Sequence, residues 1–394
     1  MKPLSRMAEN FPESAVCAMG RLCEDAGGND LALDFSDFDG PLELEEAAVH
    51  AVRDKRCWSP IGFGEPGLRE AVAAKAFRYN GIAGDPETDV TVTGGVGEAI
   101  TATLRAICNP GDEIIVFEPF REHYAYLSFL SEVTPRYVTL YKPDRHFNPK
   151  ELAEVFNDRT KAIIINTPHN PTGKVFSKTE LETIAALCNK WNVYAIADEI
   201  YEHILYDDAE HVSIGSLPGM EDRTITVNSI EKTYSVEGWG VGWAIADKRI
   251  TDRIRKVLQL LSMGAPTPLQ HAAVTALNFE NSYYKNLKHR YTQARSFIHA
   301  LLSECGFSFP LPAGAFHILA DISEVAALLG TDNDVEFSKK LFAETGVATA
   351  PGSSFYSRKE SGVDQVRFCY GKKPETLDAV AESFRDFFCV HQEA

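Results

Sequence analysis

Short apolar runs rich in β-branched residues recur along the chain: 89–95 (DVTVTGG), 112–119 (DEIIVFEP), 135–140 (PRYVTL), 161–168 (KAIIINTP), 192–201 (NVYAIADEIY), 223–232 (RTITVNSIEK) and 242–247 (GWAIAD). Between most of them lie stretches such as GEAITATLRAICN and SKTELETIAALCNKW, whose apolar residues repeat every three or four positions, the period of a helix. That alternation predicts an α/β fold built on a doubly wound, mostly parallel, seven-stranded sheet. From Asn278 the pattern changes to a long polar segment of helical period, followed by shorter elements. The expected organisation is a large domain over 45–285 and a smaller α+β domain made of 1–44 plus 286–394. Ligands of open α/β sheets bind beyond the carboxyl ends of the strands, so chemistry is sought there.

Composition narrows the function. The chain has 394 residues, 44% hydrophobic and 24% charged, as a folded protein with a sizeable core has. Its 56 acidic against 39 basic residues leave a formal charge of -17, which repels nucleic acid and anionic membrane surfaces. Neither is expected as a partner. No apolar run approaches the roughly 20 residues of a membrane helix, and the N-terminus lacks the apolar core of a signal peptide, so a cytoplasmic location is expected. The 8 cysteines are scattered without CxxC or metal-like spacing. They read as buried thiols in a reducing compartment, and no metal site is expected.

Four strand ends carry polar groups without a packing role. Asp198 closes the run 192–198, with Tyr201 three residues on. A buried aspartate is costly unless a cation or donor meets it, although aspartates at strand ends also serve as ordinary caps. Lys232 ends another run, where a desolvated amine can form a Schiff base and an exposed one is merely solvated. In TPHNPTGKVFS, Pro168, Asn170, Pro171 and Gly173 force a turn directly after a strand. In TGGVGEAI a glycine-rich turn opens a helix, which suits a phosphate but is also what any tight strand-to-helix turn requires.

In this order, the glycine loop, PxNPTG, DExY and SxxK resemble the fold-type I pyridoxal-phosphate enzymes, specifically the class I/II aminotransferases and their kynurenine or methionine aminotransferase branch. The likeness runs from GEPGLREAV (64–72) to VRFCYGKKPETL (366–377). It implies pyridoxal 5'-phosphate as cofactor, an α-amino acid and a 2-oxo acid as substrates, and a homodimer. Carried over by position, Lys232 is similar to the lysine that holds the cofactor covalently and moves the Cα proton. Asp198 matches the aspartate facing the pyridine nitrogen, and Asn170 with Tyr201 the pair bonding the 3'-oxygen. Ser229 and the backbone of Gly95, Val96 and Gly97 match the phosphate cradle, and Arg367 the arginine gripping the substrate carboxylate. Trp58 and Phe63 lie where the family places an aromatic residue near the substrate, with core packing as the alternative.

Three positions depart from the family. The eighth residue after the lysine, commonly a phosphate-binding arginine, is Gly240; the small residue before the lysine is Glu231; and the ring-stacking aromatic is Arg121. One expectation is that Arg121 takes over part of the charge or stacking role. The other is that Gly-Trp-Gly-Val-Gly only permits close backbone packing, with the phosphate held by N–H groups and Ser229. Asp34, Asp37 and Asp39 replace a glycine-containing stretch, to meet a cation or stay solvated, and His317 stands where a tyrosine is frequent. Changes of this kind accompany altered outcomes, so β/γ-elimination or cyclisation in a specialised biosynthetic pathway is the alternative to transamination. A cofactor-sensing transcription regulator would carry a basic segment, and a nicotinamide dehydrogenase would leave the lysine unexplained.

Overall fold

The computed structural model describes residues 13–56, 62–262 and 264–392. Seven strands form the central sheet: β1 (Val90–Thr93), β2 (Glu113–Glu118), β3 (Thr134–Thr139), β4 (Thr160–Asn166), β5 (Tyr194–Asp198), β6 (Thr224–Ser229) and β7 (Gly242–Ile245). Their spatial order is β1-β7-β6-β5-β4-β2-β3, and β7 alone opposes the rest. Alternate residues of each strand enter different cores. Ile114, Val116, Ile164 and Ile196 join one cluster, whereas Ile115, Phe117, Ile163 and Ile165 join another on the opposite face. A sheet buried on both faces explains why the sequence shows unbroken apolar runs rather than alternation.

Helix α1 (Val96–Ile107) follows β1, and α2 (Lys178–Trp191) links β4 to β5. In α2 a reciprocal Ser177–Glu180 capping box fixes the start, and Asn192 in the left-handed region fixes the end. A single turn, α3 (Glu231–Tyr234), follows β6, and the polar segment beyond 278 forms the 24-residue α4 (Asn281–Glu304). A second, antiparallel sheet comprises β8 (His317–Asp321), β9 (Ala350–Pro351) and β10 (Gln365–Cys369), in the order β9-β10-β8. The closing helix α5 (Pro374–Gln392) packs against α4. Asn29–Asp30 pairs with Val347–Ala348, which brings the following acidic stretch over the ends of the central strands.

One expectation about the cysteines is corrected. Cys23, Cys188, Cys305 and Cys369 are buried, but Cys17 is exposed, because helix Ala15–Ala26 turns Val16, Met19, Gly20 and Cys23 inward and leaves Cys17 on the outer face.

Candidate active site

Parallel register sets the site. Asn166 of β4 pairs with Asp198 of β5, and Asp198 with Val227 of β6, so three carboxyl-end residues lie side by side. The Asp198 carboxylate is fully buried. It accepts the Tyr124 hydroxyl at 2.6 Å, and the Arg121 guanidinium stands 3.6 Å away. Burial pushes this carboxyl above its ordinary range, while Arg121 and Tyr124 pull it back. The Ile200 N–H also reaches its Oδ1 at 3.4 Å, and two donors and one cation still leave lone pairs for a further N–H.

Next to it, the Asn170 amide nitrogen donates to the Tyr201 hydroxyl at 3.2 Å and to Asp34 at 3.1 Å. Tyr201 donates to Asp34 at 2.7 Å, and His317 Nε2 meets Asp34 Oδ1 at 2.7 Å. Lys232, carried by α3, reaches the Asp34 carbonyl with its Nζ, 3.8 Å from both the Asp34 and Glu237 carboxylates. The amine is almost entirely buried, 5.1 Å from the centre of the Phe35 ring and 5.8 Å from that of Phe316. Burial would raise the Asp34 carboxyl, but Lys232 first, then the His317 hydrogen bond and Arg121, outweigh it and hold the group well below its ordinary range. Burial also lowers His317 to about 4, with Asp34 opposing, so the ring is neutral.

On the far side of Lys232, Gly95 caps α1 with φ +86°, a conformation glycine adopts without strain. Gly242 lies so close that a Cβ there would come within 2.8 Å of the Gly95 carbonyl carbon. Gly242 pairs with Thr93 on one side and with Ser229 on the other, which brings Ser229, whose Oγ accepts the Glu231 N–H at 3.2 Å, near the α1 N-terminus. Glu231 Oε1 takes the N–H groups of Gly240 at 3.2 Å and Gly238 at 3.4 Å.

Arg367, on β10, donates to Asn170 Oδ1 at 3.0 Å and to the Ala32 carbonyl, and its Nε is buried without a partner. Among the predicted residues Lys232, Asp198, Tyr201, Asn170, Arg121 and Arg367 thus converge, while Ser229 and Gly95 meet across Gly242 beside Glu231, the neighbour of Lys232. Trp58 lies outside the described residues. Phe63 packs under Arg255 at 3.9 Å, a contact of the β1 side rather than of this cluster. Tyr124 stands near Arg121 in EPFREHY, but its bond to Asp198 was not anticipated, and neither was Glu237. Tyr124 sits on the helix following Arg121, a few residues past the expected stacking position, whereas nothing in the sequence distinguishes Glu237. Of the three aspartates, only Asp34 enters the site: Asp37 accepts from the Lys373 N–H and Thr376 hydroxyl at the start of α5, and Asp39 pairs with Lys373 at the surface.

Behind β5, Glu199, Glu202 and His211 bring potential metal-ligand atoms within 4.8 Å of one another. Their carboxylates are already met by Lys75, Asn80, Ser213 and Asn228, so the group reads as an internal ion-pair network.

Residues 37–384 match the family model for aminotransferase class I and II. A probable N-succinyldiaminopimelate aminotransferase of Mycobacterium tuberculosis is 35% identical over 378 residues, covering 93% of this chain and 94% of the relative. The methionine aminotransferase of Escherichia coli is 34% identical over 368 residues, with 93% and 94% covered. The solved structure of the M. tuberculosis N-succinyldiaminopimelate aminotransferase superposes with a TM-score of 0.92 at 33% identity, covering 98% of this chain and 100% of that one. The chain belongs to the class I and II aminotransferases, pyridoxal-phosphate enzymes that pass an amino group from an amino acid to a 2-oxo acid.

Proposed function

We propose that transamination here runs on Lys232, with Asp198 facing the cofactor's ring nitrogen and Asn170 and Tyr201 its 3'-oxygen. The residues fit pyridoxal 5'-phosphate well at the ring end. Asp198 is a buried carboxylate with acceptor capacity to spare, and the Asn170–Tyr201 pair sets an N–H and an O–H side by side, both now donating to Asp34, whose place a cofactor oxygen would take. The other end offers backbone N–H groups and Ser229, but Gly240 supplies no cation. When bound, the cofactor supplies an electron sink for the pair released as the substrate loses its Cα proton. Lys232 carries that proton, and its burial between Phe35 and Phe316 keeps bulk water away from the amine. Asp198, anchored by Tyr124, keeps a proton on the ring nitrogen. Arg367 orients the substrate through its α-carboxylate, a bidentate task. Arg121, strung between Asp198 and Asp34, lies at the ring end and serves as the stacking group rather than as the phosphate's counter-ion.

The observation carrying this reading is the placement of the Asp198 carboxylate at the end of β5 and of Lys232 on α3, just past the end of the neighbouring β6, with the Asn170–Tyr201 pair and Lys232 all meeting Asp34. The test is reduction with borohydride after loading with pyridoxal phosphate. A mass tag on the peptide containing Lys232, absent in Lys232→Ala, is expected; a tag on another lysine overturns the assignment. In the same proposal the protein is a cytoplasmic homodimer, with domains spanning 45–285 and 1–44 plus 286–394. The charges of Asp34 and Arg121 around the reacting centre favour a second reading, elimination or cyclisation. Product formed without any 2-oxo acid would support it.

A further inference from the structure

We infer that Glu231 is a built-in competitor for the cofactor's phosphate, so that this chain holds pyridoxal phosphate loosely and exchanges it with solution. The inference rests on the cofactor assignment above and concerns the one flank of the site where charge is out of balance. A phosphate in a partly buried site calls for a cation or for several N–H donors. At Gly240 a Cβ would meet nothing within 4 Å, so no side chain fills that direction. The three cations placed in the site among the described residues are engaged elsewhere: Arg121 lies between Asp198 and Asp34, Lys232 between Asp34 and Glu237, and Arg367 on Asn170 and the Ala32 carbonyl.

What the phosphate flank has instead is a carboxylate. Glu231 Oε1 collects the N–H groups of Gly238 and Gly240, the donors that the glycine-rich loop could offer an anion. Its other oxygen lies 3.8 Å from where a Cβ on Gly95 would stand, directly against the mouth of α1. Gly242 is pressed onto the Gly95 backbone, so this wall cannot widen without moving β7. A second acid, Glu98, takes the Gly94 N–H at 2.5 Å on the same turn. A phosphate entering this space therefore meets Glu231 as a neighbouring like charge and finds two N–H donors already occupied. Both effects weaken its hold. Neutralising Glu231 removes the repulsion in either case, whereas a merely structural brace would be damaged by shortening the side chain.

Full-length apoprotein is titrated with pyridoxal 5'-phosphate, with the dissociation constant read from equilibrium dialysis and the release rate from transfer to an excess of a second apoenzyme. Far-UV circular dichroism confirms folding. Glu231→Gln and Glu231→Ser are each expected to bind at least tenfold more tightly than wild type and to release more slowly. Unchanged or weaker binding in both variants overturns the inference, as does a pattern in which Glu231→Gln equals wild type and Glu231→Ser is weaker. Should Glu231→Ser not fold, Glu231→Gln alone decides. Failure of the underlying cofactor assignment looks different: neither the wild type nor either variant would bind saturably.

Discussion

Lys75, at the end of helix Pro66–Lys75, is buried beside Glu202 and donates also to Asn80 at 2.9 Å. Burial would raise the Glu202 carboxyl, but Lys75 first, then His203 and His211, bring it from an ordinary 4.5 to about 2. That difference is equivalent to about 3 kcal/mol of stability at neutral pH, within the roughly 3–5 kcal/mol found when one partner of a buried ion pair is removed. Lys75→Met is therefore expected to destabilise the protein by about 3 kcal/mol. With an unfolding entropy near 2 cal/mol/K per residue, a chain of this size loses about 4 °C of melting temperature. The sign of the pH dependence follows from the depressed carboxyl. Its contribution is fully present above pH 4.5 and fades as pH falls toward 2, so the gap between wild type and variant narrows on acidification by about 1 kcal/mol at pH 4. Calorimetry and urea unfolding at both pH values measure this. Adding Glu202→Gln to the variant should restore at least half of the loss, because the uncompensated charge is gone. A melting temperature lowered by less than about 1 °C, or a double variant no better than the single one, refutes the reasoning.

Two further outcomes are expected. On the role proposed for Arg367 at the substrate carboxylate, Arg367→Lys is expected to raise KM for the amino acid about 10- to 100-fold with a smaller change in kcat, measurable by steady-state kinetics. His317, lowered by burial to about 4, is neutral in the folded protein while the unfolded chain takes up a proton near 6.5. Stability is therefore lost as pH falls from 6.5 toward 4, and His317→Gln should lose about 2 kcal/mol less than wild type between pH 7 and 5 in urea titrations.

The sheet was legible because β4 and β5 are buried on both faces, which leaves an unbroken apolar signature, and Asp198 ends β5 as expected; Lys232, read as the end of a strand, instead lies on the single turn α3 three residues past the end of β6. The charged surroundings of Lys232 were not. Asp34, Asp37 and Asp39 are equivalent in sequence. Only the pairing of Asn29–Asp30 with Val347–Ala348 decides that the first turns into the site while the second caps α5. Arg121 stood at an expected position, but its alignment toward Asp198 and Asp34 rather than toward the phosphate flank depends on two carboxylates brought in from distant segments. Glu231 stood out as a departure from the usual small residue, but its bonds from Gly238 and Gly240, and the approach of Glu237 to Lys232, arise only where the glycine segment folds back on α3. The ion-pair network of Lys75 and Glu202 joins residues more than a hundred positions apart, beyond the reach of local periodicity.

One side chain, Asn170, has both ends of its amide committed. Its oxygen accepts from Arg367, while its nitrogen serves Tyr201 and Asp34. An amide has no second way round here, since flipping it would turn an acceptor toward Tyr201's lone pairs and a donor toward a guanidinium. With the roles proposed for Arg367 and for the Asn170–Tyr201 pair, selection for a new substrate acting through Arg367 also disturbs the corner assigned to the ring's oxygen, so the two properties evolve as a linked pair and not as separate dials.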